Sequence, residues 1–159
     1  MYENILVYWR ILVAVDGSEQ SYKALDHAAA IAEKFGSELT LLTVVPRVMI
    51  PVFSHEGSGA PPLSVARKMT QYQEGMKAIY QNVLTKAEAR VRSEHPDLNV
   101  STILKEGRPS ATIVDVAEKD GYDLIVMGSR GIRGIKGWIL GSTSRGVVDS
   151  CTKPVLIIK

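Results

Sequence analysis

The sequence predicts an α/β protein in three layers, with an open five-stranded parallel sheet and helices on both of its faces. Four short apolar runs rich in β-branched residues are typical of strands buried on both faces, and a fifth run alternates more. Between the runs, apolar residues recur at spacings of three and four, as they do on one face of a helix. Because strands and helices alternate, we expect right-handed crossovers between parallel strands. The predicted strands are 11–15, 39–45, 100–104 (the alternating run), 124–127 and Val155–Ile158.

Start and stop signals delimit three of the four predicted helices. Ser18 is a suitable N-cap for the first helix, and Gly36 a suitable end. Pro109 fits the first turn of the third helix, which Gly121 ends. The fourth helix is predicted over residues 142–151, just before the last strand.

The second helix is predicted to be long and amphipathic, and to end before Pro96. Its apolar positions follow one another at spacings of four, three, four, three, four and four residues. They are Val65, Met69, Tyr72, Met76, Ile79, Val83 and Ala87. We expect the methionine and tyrosine side chains of this stripe, including Tyr80, to lie in the core.

Two stretches do not fit this alternation. Residues 46–63 carry four prolines and two glycines, so we expect a mobile loop there that could act as a lid. Residues 1–10 contain an additional apolar segment, which either lengthens the first strand or forms an N-terminal extension. Taken together, residues 1–159 fit one domain.

Composition excludes several classes of protein. The 19 Lys and Arg residues against 17 Asp and Glu leave a net charge of +2, too small to indicate a nucleic acid or an anionic membrane as partner. No apolar run approaches the roughly 20 residues that cross a bilayer, and the N-terminus lacks the basic region of a signal peptide. The single cysteine, Cys151, cannot form an internal disulfide, which favours a reducing compartment. We therefore expect a cytoplasmic protein without nucleic-acid or membrane partners.

A glycine-rich stretch follows the fourth predicted strand. Gly128 and Gly131, then Gly141 and Ser142, form the pattern G-x2-G-x9-G-S. A turn without Cβ atoms lets backbone N–H groups approach a phosphate closely. Gly141 and Ser142 open the fourth helix, whose free N–H groups and positive dipole end attract anions. The spacing therefore predicts two phosphate-binding devices at the end of one strand.

Polar side chains near this stretch suit the same anion. Three consecutive hydroxyl residues, Ser142, Thr143 and Ser144, can donate hydrogen bonds at the helix start. Positive charge is supplied by Arg130, Arg133 and Lys136.

The local pattern leaves alternatives open. The glycines could serve only to shape a long connection, with Ser142 as a simple N-cap. Asp16, at the end of the first strand, could accept hydrogen bonds from ribose hydroxyls or from a Mg²⁺-bound water. It could also be a helix-capping aspartate ahead of Ser18.

The sequence resembles the universal stress protein family in four separated blocks. They are ILVAVDGS from Ile11, DLIVMGSRG from Asp123, the glycine pattern ending in Gly141 and Ser142, and KPVLII from Lys153. The resemblance covers residues 11–159 and implies a Rossmann-like fold of the adenine nucleotide alpha hydrolase-like type. Members of the family with this glycine pattern intact bind ATP, so the resemblance implies an ATP-binding protein. From the position of the Asp16 carboxylate we expect Mg²⁺ to accompany the ATP, with Asp16 as its protein ligand.

The resemblance also implies which residues contact the nucleotide. Ala14, Asp16 and Val44 would border adenine and ribose. The ribose and phosphates would be lined by Met127, Gly128, Arg130, Gly131 and Ile132, and the phosphate end closed by Gly141, Ser142, Thr143 and Ser144. The family commonly dimerises through its last strand, which implies a homodimer through Val155–Ile158. That run carries no guarding charge before Lys159.

Three functions compete at this point. The leading one is a regulatory stress-response protein that binds ATP and an unidentified protein partner, without catalytic residues. The second is a slow Mg²⁺-dependent ATPase or phosphotransferase, in which one of the three hydroxyl residues accepts a phosphoryl group. The third is an interaction module that binds no ligand.

Several other signals carry no assignment. Walker A, G-x-S-x-G and H-E-x-x-H motifs do not occur. The sequence therefore lacks the residues that phosphate-loop hydrolases, serine hydrolases and zinc proteases use. His27, His55 and His95 have none of the spacings of a metal site. We expect Trp138 to cover the nucleotide loop or to enter a dimer contact.

Overall fold

Strands and helices alternate along the chain in this computed structural model, which describes residues 8–47, 62–131 and 140–159. The elements are β1 (Arg10–Ala14), α1 (Glu19–Phe35), β2 (Glu38–Pro46), α2 (Leu63–Glu94), β3 (Val100–Gly107), α3 (Pro109–Lys119), β4 (Leu124–Gly128), α4 (Ser142–Ser150) and β5 (Val155–Ile158). All five predicted strands and all four predicted helices are therefore confirmed.

The five strands form one sheet in the order β3-β2-β1-β4-β5, and every pairing is parallel. Ile11 on β1 is in register with Leu39 on one side and with Leu124 on the other. The chain moves outward from β1 first in one direction and then in the other. The space beyond the carboxyl ends of β1 and β4 is therefore the switch point, where sheets of this kind bind ligands.

The helices cover both faces of the sheet, which confirms the three-layer prediction. Residues of α1 and α2 share one hydrophobic cluster with Ile11 and Val13, whereas residues of α3 and α4 share a second cluster with Leu12. Successive residues of a strand point to opposite faces, so β1 contributes to both cores. Burial on both faces explains why β1, β2 and β4 are nearly unbroken apolar runs.

The strand β3 extends to Gly107, three residues beyond the predicted 100–104. The structure pairs Lys105 and Glu106 with Val44 and Val45 of β2. Because β3 is an edge strand, exposed charged residues can continue the ladder there, and the apolar pattern ends before the strand does.

The capping predictions hold for α1 and need one change for α4. The Ser18 Oγ accepts a hydrogen bond from the Ser21 N–H at 3.1 Å, and Gly36 ends α1 in the left-handed region with φ 68°. The N-cap of α4 is Gly141, and Ser142 is its first helical residue. The alternative that Ser142 is only an N-cap is therefore wrong.

The predicted core stripe of α2 is only partly correct. Its buried residues are Leu84, Ala87 and Val91, all in the second half of the helix, whereas Tyr72 and Ile79 are exposed. A helix of 32 residues is about 48 Å long, much longer than the strands on which it packs. The first half therefore extends beyond the carboxyl edge of the sheet.

Several predictions fall outside the described residues. These are the extension up to residue 7, the loop over residues 48–61, and Trp138. Among the described helices, none combines the length and the apolar character needed to cross a membrane.

Candidate functional site

A cavity of about 700 Å³ lies at the carboxyl edge of the sheet, around the switch point. It is lined from β1, β2 and β4, from the starts of α3 and α4, and from α2. Its volume is within the range of ordinary small-molecule sites. The topology therefore places the cavity where the sequence predicts a site.

Eleven of the predicted site residues line this one cavity. They are Ala14, Asp16, Val44, Met127, Gly128, Arg130, Gly131, Gly141, Ser142, Thr143 and Ser144. The twelfth, Ile132, lies outside the described residues. Residues from four separate segments of the chain thus meet at one place.

Gly128, the last residue of β4, allows α1 to approach the sheet. A Cβ atom on Gly128 would lie 2.9 Å from the backbone carbonyl carbon and the Cβ of Gln20. Side chains elsewhere in proteins do not make contacts this short, and the backbone of α1 cannot simply rotate away. Gly128 is therefore required by helix packing, a role that the phosphate pattern does not reveal.

Gly131 makes room for the carboxylate of Asp16. A Cβ atom on Gly131 would collide with the Asp16 Oδ2. The other oxygen, Oδ1, accepts a hydrogen bond from the Ser18 N–H at 2.9 Å. Asp16 therefore orders the turn before α1, as the capping alternative predicted, and its second oxygen lies beside the glycine loop.

The carbonyl oxygen of Ser129 ties the glycine loop to the start of α4. It accepts the Gly141 N–H and the Ser144 Oγ–H, both at 2.8 Å. The Ser129 N–H in turn donates to the Ile158 carbonyl of β5 at 2.7 Å. The two phosphate-binding devices predicted from the sequence are therefore held together by hydrogen bonds.

The three hydroxyl residues differ in their availability. Ser142 is exposed and Thr143 half-buried, whereas Ser144 is buried, with its hydroxyl also 3.1 Å from the Gly141 carbonyl. A serine has one proton to donate, and that of Ser144 is directed to the protein. The expectation that Ser144 donates to a phosphate needs correction, since its hydroxyl stabilises the site instead.

Other lining residues had not been predicted. Arg47 follows β2 directly and adds a second cation to Arg130 at the cavity. Leu42 and Ile113 line it as part of the core below. The sequence positions of Arg47 and Ile113 could have indicated that they line the cavity. Arg47 follows a strand and Ile113 lies in the first two turns of a helix, and in a parallel sheet both positions are at this edge.

Tyr72, Met76 and Tyr80 of α2 also line the cavity. The sequence placed them in the core because their helical spacing is the same as that of core residues. The sequence did contain one indication: the predicted helix is much longer than the strands, so its first half must extend beyond the core of the sheet.

The described histidines lie away from the cavity. His27 is exposed on α1, and His95 is the C-cap of α2; His55 is outside the described residues. Within the three described ranges, no cluster of three or more His, Cys, Asp or Glu residues could hold a metal ion.

The sheet order and the cavity at its switch point define a Rossmann-like α/β protein with a ligand-sized site. The chain belongs to the universal stress protein family, whose family model matches residues 8–159.

Individual relatives agree with this membership over almost their whole length. Universal stress protein YxiE of Bacillus subtilis (strain 168) is 36% identical over 152 residues, which cover 94% of this chain and 98% of the relative. Universal stress protein UspA from Lactobacillus plantarum has a solved structure with a TM-score of 0.80 at 27% identity, covering 96% of this chain and 99% of that chain.

A second similar structure was solved with a ligand. The universal stress protein from Archaeoglobus fulgidus in complex with dAMP has a TM-score of 0.63 at 24% identity, covering 97% of this chain and 100% of that chain. At this identity the likeness is one of fold.

Proposed function

We propose that this universal stress protein binds ATP in the cavity at the switch point and acts as a nucleotide-dependent regulatory protein. The observation that carries the proposal is the pair of hydrogen bonds that the Ser129 carbonyl accepts from Gly141 and Ser144. These bonds bring the glycine loop and the start of α4 to one corner of the cavity. Each of these two elements suits a phosphate by itself, and together they suit a chain of phosphates.

Backbone groups of α4 supply the phosphate contacts in this proposal. The Arg145 N–H is the first of the helix to bond within it, to the Gly141 carbonyl at 2.9 Å. The N–H groups of Ser142, Thr143 and Ser144 precede it and have no acceptor inside the helix. The side chains of Arg47 and Arg130 add positive charge at the same cavity.

Mg²⁺ fits the residues as a companion of the phosphates. It binds proteins through one or two carboxylates and completes its shell with phosphate oxygens and water. The Asp16 Oδ2, beside Gly131, is one such carboxylate oxygen. The chain's own part is to hold the carboxylate in place through its other oxygen, Oδ1, which accepts the Ser18 N–H. Phosphate neutralisation is what the ion would supply.

Two observations outside the cavity also support the proposal. A protein of the same fold was solved in complex with dAMP, an adenine nucleotide. The resemblance on the glycine pattern implies the ATP-binding members of the family.

In the alternative function, slow phosphoryl transfer, the hydroxyl contacts reduce the candidate phosphoryl acceptors from three residues to two. Ser144 is buried and donates to the Ser129 carbonyl, so it is not placed to accept a phosphoryl group. Ser142 and Thr143 remain as acceptors, since both are accessible from the cavity.

We further propose a homodimer formed by pairing of β5 with its copy. β5 is an edge strand, and each of its four residues is half-buried. The carbonyls of Pro154 and Ile158 bond to β4, so the alternating backbone groups of Val155 and Ile157 face outward. Ile157→Pro should therefore remove an outward N–H donor and give monomers in light scattering, whereas Ile157→Thr should remain dimeric. A dimeric proline variant would contradict this interface.

The direct test of ATP binding combines mass spectrometry and calorimetry. The purified protein is denatured to identify any released nucleotide, and ATP with Mg²⁺ is titrated into the nucleotide-free protein. Gly131→Ala should weaken binding at least about tenfold, because the new Cβ displaces the Asp16 carboxylate from the loop.

Gly75→Ala is the matched control for this variant. A Cβ at Gly75 on α2 would have no neighbour within 4 Å. It should leave ATP affinity unchanged. Absence of ATP binding by the folded wild type would refute the proposal and leave the interaction module as the remaining function.

A further inference from the structure

The first half of α2 forms one wall of the cavity rather than part of the core. Tyr72, Met76 and Tyr80 line the cavity and are separated by four residues, so they lie along one side of the helix. The buried residues of α2 begin only at Leu84. Tyr72 has 58% of its surface exposed, although the cavity lies beside it. This wall therefore presents two aromatic rings and a thioether that the core does not use.

The lining of the cavity changes in character along the sheet. At the β2 side, Leu42 and Val44 together with Ile113 of α3 are apolar. α2 packs against β2 and β3, so its wall is also at the β2 end of the cavity, on the face of the sheet opposite to these three residues. At the β1 and β4 side, the lining is the Asp16 carboxylate, the glycine loop and the start of α4. The cavity thus has an apolar part and a polar part in a fixed order.

We infer that the α2 wall receives the base of the bound nucleotide, packed against Tyr72 and Met76, while the phosphates lie at α4. The inference rests on the proposed function. A purine has flat, polarizable faces, and aromatic rings and thioethers pack well on such faces. In ATP the ribose joins the base to the phosphates, so one ligand can occupy both parts of the cavity. Recognition of the base is then mainly by stacking and apolar contact on this wall.

The test compares a ligand that has a base with one that lacks it. The Tyr72→Ala, Met76→Ala double variant and the wild type are titrated with ATP and with inorganic tripolyphosphate, each with Mg²⁺. Loss of stacking should weaken ATP binding about tenfold and leave the affinity for tripolyphosphate within about twofold. Ile79→Ala is the control, since Ile79 is on the same helix and 60% exposed but does not line the cavity.

Each outcome decides between the two proposals. Unchanged ATP affinity in the double variant, or an equal loss for both ligands, would overturn the α2 inference while ATP binding stands. Failure of the wild type to bind ATP would overturn both.

Crosslinking with 8-azido-ATP gives a measurement that does not depend on the variants. Its reactive group is on the base, so label should appear in the peptide that contains Tyr72 and Met76. Label confined to peptides from other segments would overturn the inference.

Discussion

The close crossing of α3 and α4 makes a sharp prediction at Gly146. A glycine inside a helix normally costs about 1 kcal/mol relative to alanine, so Gly→Ala at an open helical position stabilises a protein. At Gly146, however, an added Cβ would lie 2.8 Å from the Ser110 Cβ and 3.0 Å from its Oγ. Carbon atoms in contact are normally about 3.5–4.0 Å apart. Gly146→Ala should therefore push the two helices apart.

The size of the effect follows from two opposing terms. Overpacking of this kind costs about 1–3 kcal/mol, against a gain in helix propensity of about 1 kcal/mol. We expect Gly146→Ala to lower the free energy of unfolding by up to about 2 kcal/mol, and Gly75→Ala to raise it by about 0.5–1 kcal/mol. At about 3 °C per kcal/mol for a chain of this length, the melting temperature of Gly146→Ala should be roughly 2–9 °C below that of Gly75→Ala.

Thermal and urea unfolding of the two variants provide the assay, with Ser110→Gly as the rescue. Removing the Ser110 Cβ should relieve the contact, so the Gly146→Ala, Ser110→Gly pair should show a favourable coupling energy of about 1 kcal/mol in a double-mutant cycle. If Gly146→Ala instead raises the melting temperature as Gly75→Ala does, the close approach of the helices is not a constraint and the reasoning is refuted.

The remaining predictions concern the hydrogen bond from Ser144 to the Ser129 carbonyl and the residues around the end of α4. Ser144→Ala should cost about 1 kcal/mol of stability through the lost hydrogen bond to Ser129 and should weaken ATP binding; an unchanged urea midpoint would contradict this. Hydrogen bonds from the Thr152 hydroxyl and N–H lower the pKa of Glu118. The stability deficit of Glu118→Gln should therefore be full above the ordinary carboxyl pKa and shrink as pH falls through the lowered one; a pH-independent deficit would speak against it. Burial raises the pKa of the Cys151 thiol, so iodoacetamide should label the folded protein more slowly than the urea-unfolded chain at pH 8; equal rates would show that the thiol is accessible and ordinary.

The positions of the elements and of the cavity could be predicted because they depend on local signals. The β-branched runs, the Ser18 cap and Pro109 at the start of α3 each act within a few residues. Alternation of strands and helices then fixes a parallel sheet, and a parallel sheet fixes the edge at which a ligand lies. This is why residues as far apart in sequence as Asp16 and Ser142 could be assigned to one place.

The roles of individual residues could not be predicted because they depend on distant neighbours. The pattern G-x2-G-x9-G contains no sign that Gly128 contacts Gln20 of α1, or that Gly131 contacts Asp16. Similarly, the periodicity of α2 shows which side of the helix is apolar, but Tyr72 and Met76 look the same in sequence whether a core or a cavity covers them. Only the relative lengths of α2 and the strands separate the two cases.

The hydrogen bonds at the Ser129 carbonyl hold the start of α4 directly against the end of β4. Gly141 and Ser144 both donate to that oxygen, and the N–H of the same residue donates to the Ile158 carbonyl of β5. A single residue therefore joins β4, α4 and the edge strand β5 through hydrogen bonds that do not pass along the chain.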